Sequence, residues 1–129
     1  MEGFSDEELR RQILNFLKDF KELMGQGHGY YFVKEHHKNV QALRDLGITA
    51  RIRDEVILSV AMEDYSSGPN PDEYHPGHYW IFGKNIDAVE IYIKLKIVTY
   101  NNGNERAVCY SFHPSEHPLN YPFRRRKNC

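Results

Sequence analysis

Two short stretches of the chain carry residue types that do chemistry. Residues 109–119, CYSFHPSEHPL, hold His113, Glu116 and His117 in the order His-x-x-Glu-His. Residues 90–97, EIYIKLKI, alternate Tyr92, Lys94 and Lys96 with aliphatic side chains. The first spacing is one spelling of a zinc site, in which two histidines and a glutamate on a helix converge on one ion. Pro114 and Pro118 stand directly after the two histidines. Proline disfavours helix at its own position and at the residue before it, so the motif lacks the context a metal would need. The segment reads as a strand end entering a loop, and neither metal nor cofactor is expected. His75 and His78 form a second pair, but Pro76 and Gly77 put them in a loop with no cysteine nearby.

A histidine at a strand end, beside tyrosine and lysine, has other chemistry open to it. Such a set can take the proton of a ribose 2′-hydroxyl, return one to a leaving 5′-oxygen, and offset charge on the phosphorane between them. The alternative for the same residues is an ordinary solvated sheet face, where lysine and tyrosine are common. Which holds depends on the elements that carry them.

Ser5 and Glu8 make a capping box, and Leu9, Ile13, Phe16, Leu17, Phe20 and Met24 follow at helical spacing until Gly25. GYYFVKE reads as a short strand. NVQALRDLG reads as a short helix with Asn39 as its N-cap and Gly47 as its stop. Thr49 caps a third helix whose buried positions are Ile52, Val56 and Val60. It ends by EDYSSGPNP, where glycine and two prolines rule out helix.

From His78 the period changes to two. HYWIFGK and AVEIYIKLKIVTY are strands, NNGN is a hairpin turn, and ERAVCYSFH returns antiparallel. Val89, Ile91, Ile93, Leu95 and Ile97 must face the helices, which leaves Glu90, Tyr92, Lys94 and Lys96 on the open face. On the return strand Val108, Tyr110 and Phe112 are the expected inward set, with Ala107, Cys109, Ser111 and His113 outward. Two separate alternations thus put Tyr92, Lys94 and His113 on one open face. The fold class is α+β: N-terminal helices on one face of a small antiparallel sheet. Residues 1–123 form one domain and 124–129 a basic tail.

At 129 residues the chain has room for one core, and its 40% hydrophobic content suits a packed protein. No apolar run approaches the roughly 20 residues that span a bilayer, and the start, MEGFSDEELRRQ, lacks the apolar core of a secretory signal. Two cysteines make no disulfide framework, so a cytoplasmic location is expected. A net charge of −1 excludes a globally basic nucleic-acid binder. Local basic groups remain at Lys34–Lys38, at Lys84, Lys94 and Lys96, and at Arg124–Lys127.

Several pieces of the chain resemble the MqsR-type toxins of bacterial toxin–antitoxin pairs: EDYSSGPNP at 63–71, WIFGK at 80–84, EIYIKLKI at 90–97 and SFHPSEHPLNYPF at 111–123, with KNVQALRDLGIT upstream. The similarity spans roughly residues 12–123. It implies a RelE-like fold and a metal-independent mRNA endonuclease that leaves a 2′,3′-cyclic phosphate and is inhibited by an antitoxin protein encoded nearby. Carried over by position, it puts catalytic roles on Tyr92, Lys94 and His113, the last standing where the better-known branch has lysine. That branch has another lysine where Ser67 stands and a glutamine near Ile81, and Lys84 would compensate for the missing lysine. Lys38 and Lys96 would steer the RNA backbone. Trp80 and Tyr121 would stack on bases, a role that for Trp80 competes with a place in the core. The departures at Ser67 and Ile81 keep a second reading open, an inactive relative that only binds RNA or a protein.

Overall fold

The computed structural model describes residues 5–124; the basic run after Arg124, and Cys129, lie outside the described residues. Helix α1 (Asp6–Met24) starts at the expected capping box: the Glu8 N–H donates to Ser5 Oγ at 3.2 Å, and the Ser5 N–H to the Glu8 carboxylate at 3.3 Å. It is followed by β1 (Tyr30–Phe32), α2 (His37–Leu46), α3 (Ala50–Leu58) and a 3-10 turn at Met62–Asp64. Four strands follow among the described residues: β2 (Tyr65–Pro71), β3 (His78–Ile86), β4 (Val89–Thr99) and β5 (Glu105–Pro114).

The fold is α+β, but the sheet is mixed rather than purely antiparallel. Its order is β1-β5-β4-β3-β2, and β1 lies parallel to β5 while the other pairs are antiparallel. β2 takes up most of EDYSSGPNP, where only the end of a helix was expected. It is an edge strand, where prolines are tolerated because one side makes no ladder.

One face of the sheet is dry. Ile91, Ile93 and Leu95 of β4 are fully buried, and with Phe82, Trp80 and Phe112 they pack on Ile13, Phe16, Leu17 and Phe20 of α1. Phe16 stacks on Trp80 at 5.1 Å, so the expected base-stacking role of Trp80 is corrected to a place in the core. On α3 the buried positions are Arg53 and Ile57, while Ile52 is 42% exposed. The helix is turned by one residue so that the Arg53 guanidinium lies over the Phe32 ring at 3.7 Å. Val60 is buried as expected, but just beyond the helix.

Alternation along β4 holds from Ile91 to Leu95, but Val89, expected to face the helices, is 36% exposed at the start of the strand; along β5 the alternation is interrupted. Lys94 faces Ser111 and Leu95 faces Cys109, which leaves Tyr110 as the extra residue of a β-bulge. Beyond the bulge Phe112 points in and Ser111 and His113 point out, as expected. Before it the faces exchange: Ala107 and Cys109 are in the core, and Val108 sits beside Lys96 on the other face.

The bulge coincides with the end of β1, beyond which the outer edge of β5 has no strand beside it among the described residues. Asn39 fills the gap. Its side-chain amide donates to the carbonyls of Val33 and Tyr110, both at 2.9 Å, and its carbonyl accepts the Phe112 N–H at 3.0 Å. Asn39 is therefore not the N-cap of α2. His36 is, its Nδ1 accepting the Lys38 N–H at 3.3 Å. Asn39→Ala should cost about 2–4 kcal/mol, because three buried backbone groups lose their partner at once. Urea unfolding of both proteins checks this, and a loss below about 1 kcal/mol would show that water replaces the amide at little cost.

Candidate functional site

Tyr92 and His113 are cross-strand partners on the open face of the sheet. Their rings stack with centroids 5.5 Å apart and planes at 21°. Both line a cavity of about 350 Å³ together with Lys38, Glu116, His117 and Leu119. β5 continues through Pro114, so His113 lies on a strand and the His-x-x-Glu-His run crosses from strand to loop. Glu116 forms an ion pair with Lys38. Among the described residues, no three His, Cys, Asp or Glu side chains are grouped to hold a metal ion.

The state of His113 follows from its neighbour. Its Nδ1 lies 3.0 Å from the carbonyl oxygen of Pro114. A carbonyl only accepts, so Nδ1 carries the proton and, in the neutral ring, Nε2 carries the lone pair. Tyr92 is biased the opposite way. Burial, then the neighbouring Tyr79, raises its phenol above the ordinary tyrosine value, so it stays protonated well beyond neutrality. One ring is thus set to accept a proton and the other to give one.

Lys38 reaches the cavity from the first turn of α2, which Asn39 fixes against β5. Its hydrogen bond to Glu116, and then its charge, hold that carboxyl below the usual range. His36, its ring 6.0 Å from that of His113, is held below the usual histidine value by burial, then by His113, Lys38 and His37. Since its Nδ1 must be unprotonated to cap α2, this contribution to stability is complete above about pH 6.5 and is lost as pH falls through the lowered value.

Chain after β5 closes one side of the cavity. The Glu90 carboxylate accepts the Leu119 N–H at 3.1 Å and the Tyr121 hydroxyl at 2.6 Å. Tyr121 passes so close to β3 that a Cβ at Gly83 would lie 2.1 Å from its hydroxyl. Its ring lies under the Arg124 guanidinium at 3.7 Å. Tyr121 therefore anchors this strap rather than lining the cavity.

The remaining lysines divide. Lys94 shares the open face, but its ammonium rests over the Tyr79 ring at 4.2 Å and it does not line the cavity. Lys96, expected to meet the RNA backbone, is 2% exposed and pairs with Asp72 at 2.7 Å, under the loop that follows β2. Lys84 pairs in register with the buried Ile91, which puts it on the helix face, where it binds Asp64 at 3.0 Å. It cannot stand in for a lysine at the position of Ser67. The sequence reading also passed over His36 and Tyr79, and it placed Tyr110 in the inward set, whereas Tyr110 is half-buried on the open face beside Lys94. An inward Trp80 signals an outward Tyr79, whereas nothing local marks Tyr110 as a bulge.

The chain matches no family model, no curated protein and no solved structure. Its site therefore rests on its own geometry, and the phenol of Tyr92 gives that geometry a direct check. Subtracting the ultraviolet pH titration of Tyr92→Phe from that of wild type should give a tyrosinate midpoint above the ordinary value near 10. A midpoint below 10 would show that the site favours the phenolate, against the effect of burial.

Proposed function

We propose that this chain is a metal-independent endoribonuclease with a RelE-like fold, the toxin of an MqsR-type pair, acting on single-stranded mRNA in the cytoplasm and inhibited by a cognate antitoxin. The observation that carries the reading is the Tyr92–His113 pair. An acceptor nitrogen and a raised phenol stand side by side beside Lys38, in a cavity with room for a nucleotide. Nε2 of His113 takes the 2′-hydroxyl proton as that oxygen attacks phosphorus. The P–O5′ bond breaks, and the leaving 5′-oxygen receives the Tyr92 proton. The products are a 2′,3′-cyclic phosphate and a 5′-hydroxyl, and solvent restores both side chains. Lys38, once a phosphate displaces Glu116, offsets the charge that gathers on the phosphorane.

A second reading, binding without cleavage, has one observation in its favour. Ser67 and Ile81 are cross-strand partners, and Ile81 in turn faces Lys94. The two departures from the toxin pattern therefore fall in one row of the open face, where polar groups are expected. Cleavage of a long single-stranded RNA in EDTA separates the readings. His113→Ala should lower the rate about 10²–10⁴-fold, and Lys38→Ala should raise KM and lower kcat. Between about pH 7 and pH 9 the wild-type rate should not fall, because the proton donor, raised above the ordinary tyrosine value, keeps its proton there. Wild type that binds RNA and leaves it uncut would favour the second reading.

A further inference from the structure

Lys94 is set apart by its surroundings. Lys38, Lys84 and Lys96 each hold a carboxylate. Among the described residues Lys94 holds none; its ammonium lies 4.2 Å from the ring centroid of Tyr79 and 5.8 Å from that of Tyr110. Both tyrosines are half-buried on the open face, and the apolar Ile81 stands opposite Lys94 on β3. Tyr110 is there only because the bulge inserts it, and Asn39 holds its carbonyl in place. The neighbouring Lys96–Asp72 pair is neutral as a unit, so Lys94 is the free positive charge of this part of the face.

We infer that Tyr79, Lys94 and Tyr110 form a second subsite, which stacks a base of single-stranded RNA on a tyrosine ring and pairs the adjoining phosphate with Lys94. The inference rests on the RNA reading above and deepens it. Lys94 follows Tyr92 by two residues on β4, a rise of about 6.7 Å, which suits the nucleotide next to the one in the Tyr92–His113 cavity. Stacking displaces the ammonium from the Tyr79 ring, and the phosphate that arrives with the base takes it up. Aromatic rings beside a cation on a sheet face bind bases with little regard to sequence, because every base has a π face. This subsite would hold RNA without taking part in the chemistry, so its loss should raise KM more than it lowers kcat.

The test is fluorescence anisotropy with a fully 2′-O-methylated single-stranded oligonucleotide, which lacks the attacking hydroxyl, beside a partner of equal length with abasic positions. Tyr79→Ala and Tyr110→Ala should each weaken binding of the first oligonucleotide by about 5- to 150-fold, the range for one lost stack. Tyr79→Phe and Tyr110→Phe should bind like wild type, and wild type should bind the abasic partner more weakly than the intact one. Equal binding of the two oligonucleotides by wild type overturns the subsite, whatever the alanine variants do to the fold. So does a loss in the phenylalanine variants as large as in the alanine ones, which would assign the effect to hydroxyls. Wild type that shows this pattern but leaves unmodified RNA uncut upholds the subsite and removes the cleavage reading. Wild type that binds neither oligonucleotide removes both.

Discussion

Asn39 makes three hydrogen bonds from a fully buried amide, and both sides of the open face depend on them. β1 is only three residues long, so the β5 edge beyond Cys109 would otherwise face the interior with its carbonyl and N–H unpaired. A buried amide left unpaired costs more than a hydrogen bond gains, so the edge needs a substitute strand. One side chain supplies it, and in doing so ties α2 to β5. His36 and Lys38 ride on the first, Tyr110 and His113 on the second. Their approach is a consequence of that tie.

The bulge explains how one strand serves two purposes. Without it, a β5 that buries Ala107 and Cys109 would also bury Ser111 and His113, since side chains alternate strictly along a strand. Inserting Tyr110 exchanges the faces midway. The lower half then completes the core, and the upper half presents His113 to Tyr92. Electrostatics divide the open face in the same way. At one end Glu90 fastens the strap, at the other Asp72 neutralises Lys96, and between them lie the cavity with Lys38 and Lys94, which holds no carboxylate among the described residues.

Much of this could be read from local pattern. The capping box of α1, the Thr49 cap, the hairpin and the inward Ile91, Ile93 and Leu95 of β4 depend on residues close in sequence, and they appear as expected. The Tyr92–His113 pair was legible because period two fixes faces on both strands above the bulge. What escaped depends on distant partners. Lys96 looks like a surface lysine until Asp72, 24 positions earlier, folds over it. Lys84 looks free until the register with Ile91 turns it toward Asp64. Asn39 has the chemistry of an N-cap, and only the missing strand beside β5 explains why its amide is used there.

The chemistry of a cut end tests the central claim most directly. RNA digested in EDTA and analysed by mass spectrometry should carry 2′,3′-cyclic phosphate and 5′-hydroxyl termini, and a 2′-deoxy substitution at a cut nucleotide should abolish that cut alone. Those products require the attack that His113 and Tyr92 are positioned to assist. A 5′-phosphate terminus, or cleavage that persists at the 2′-deoxy position, would contradict the account.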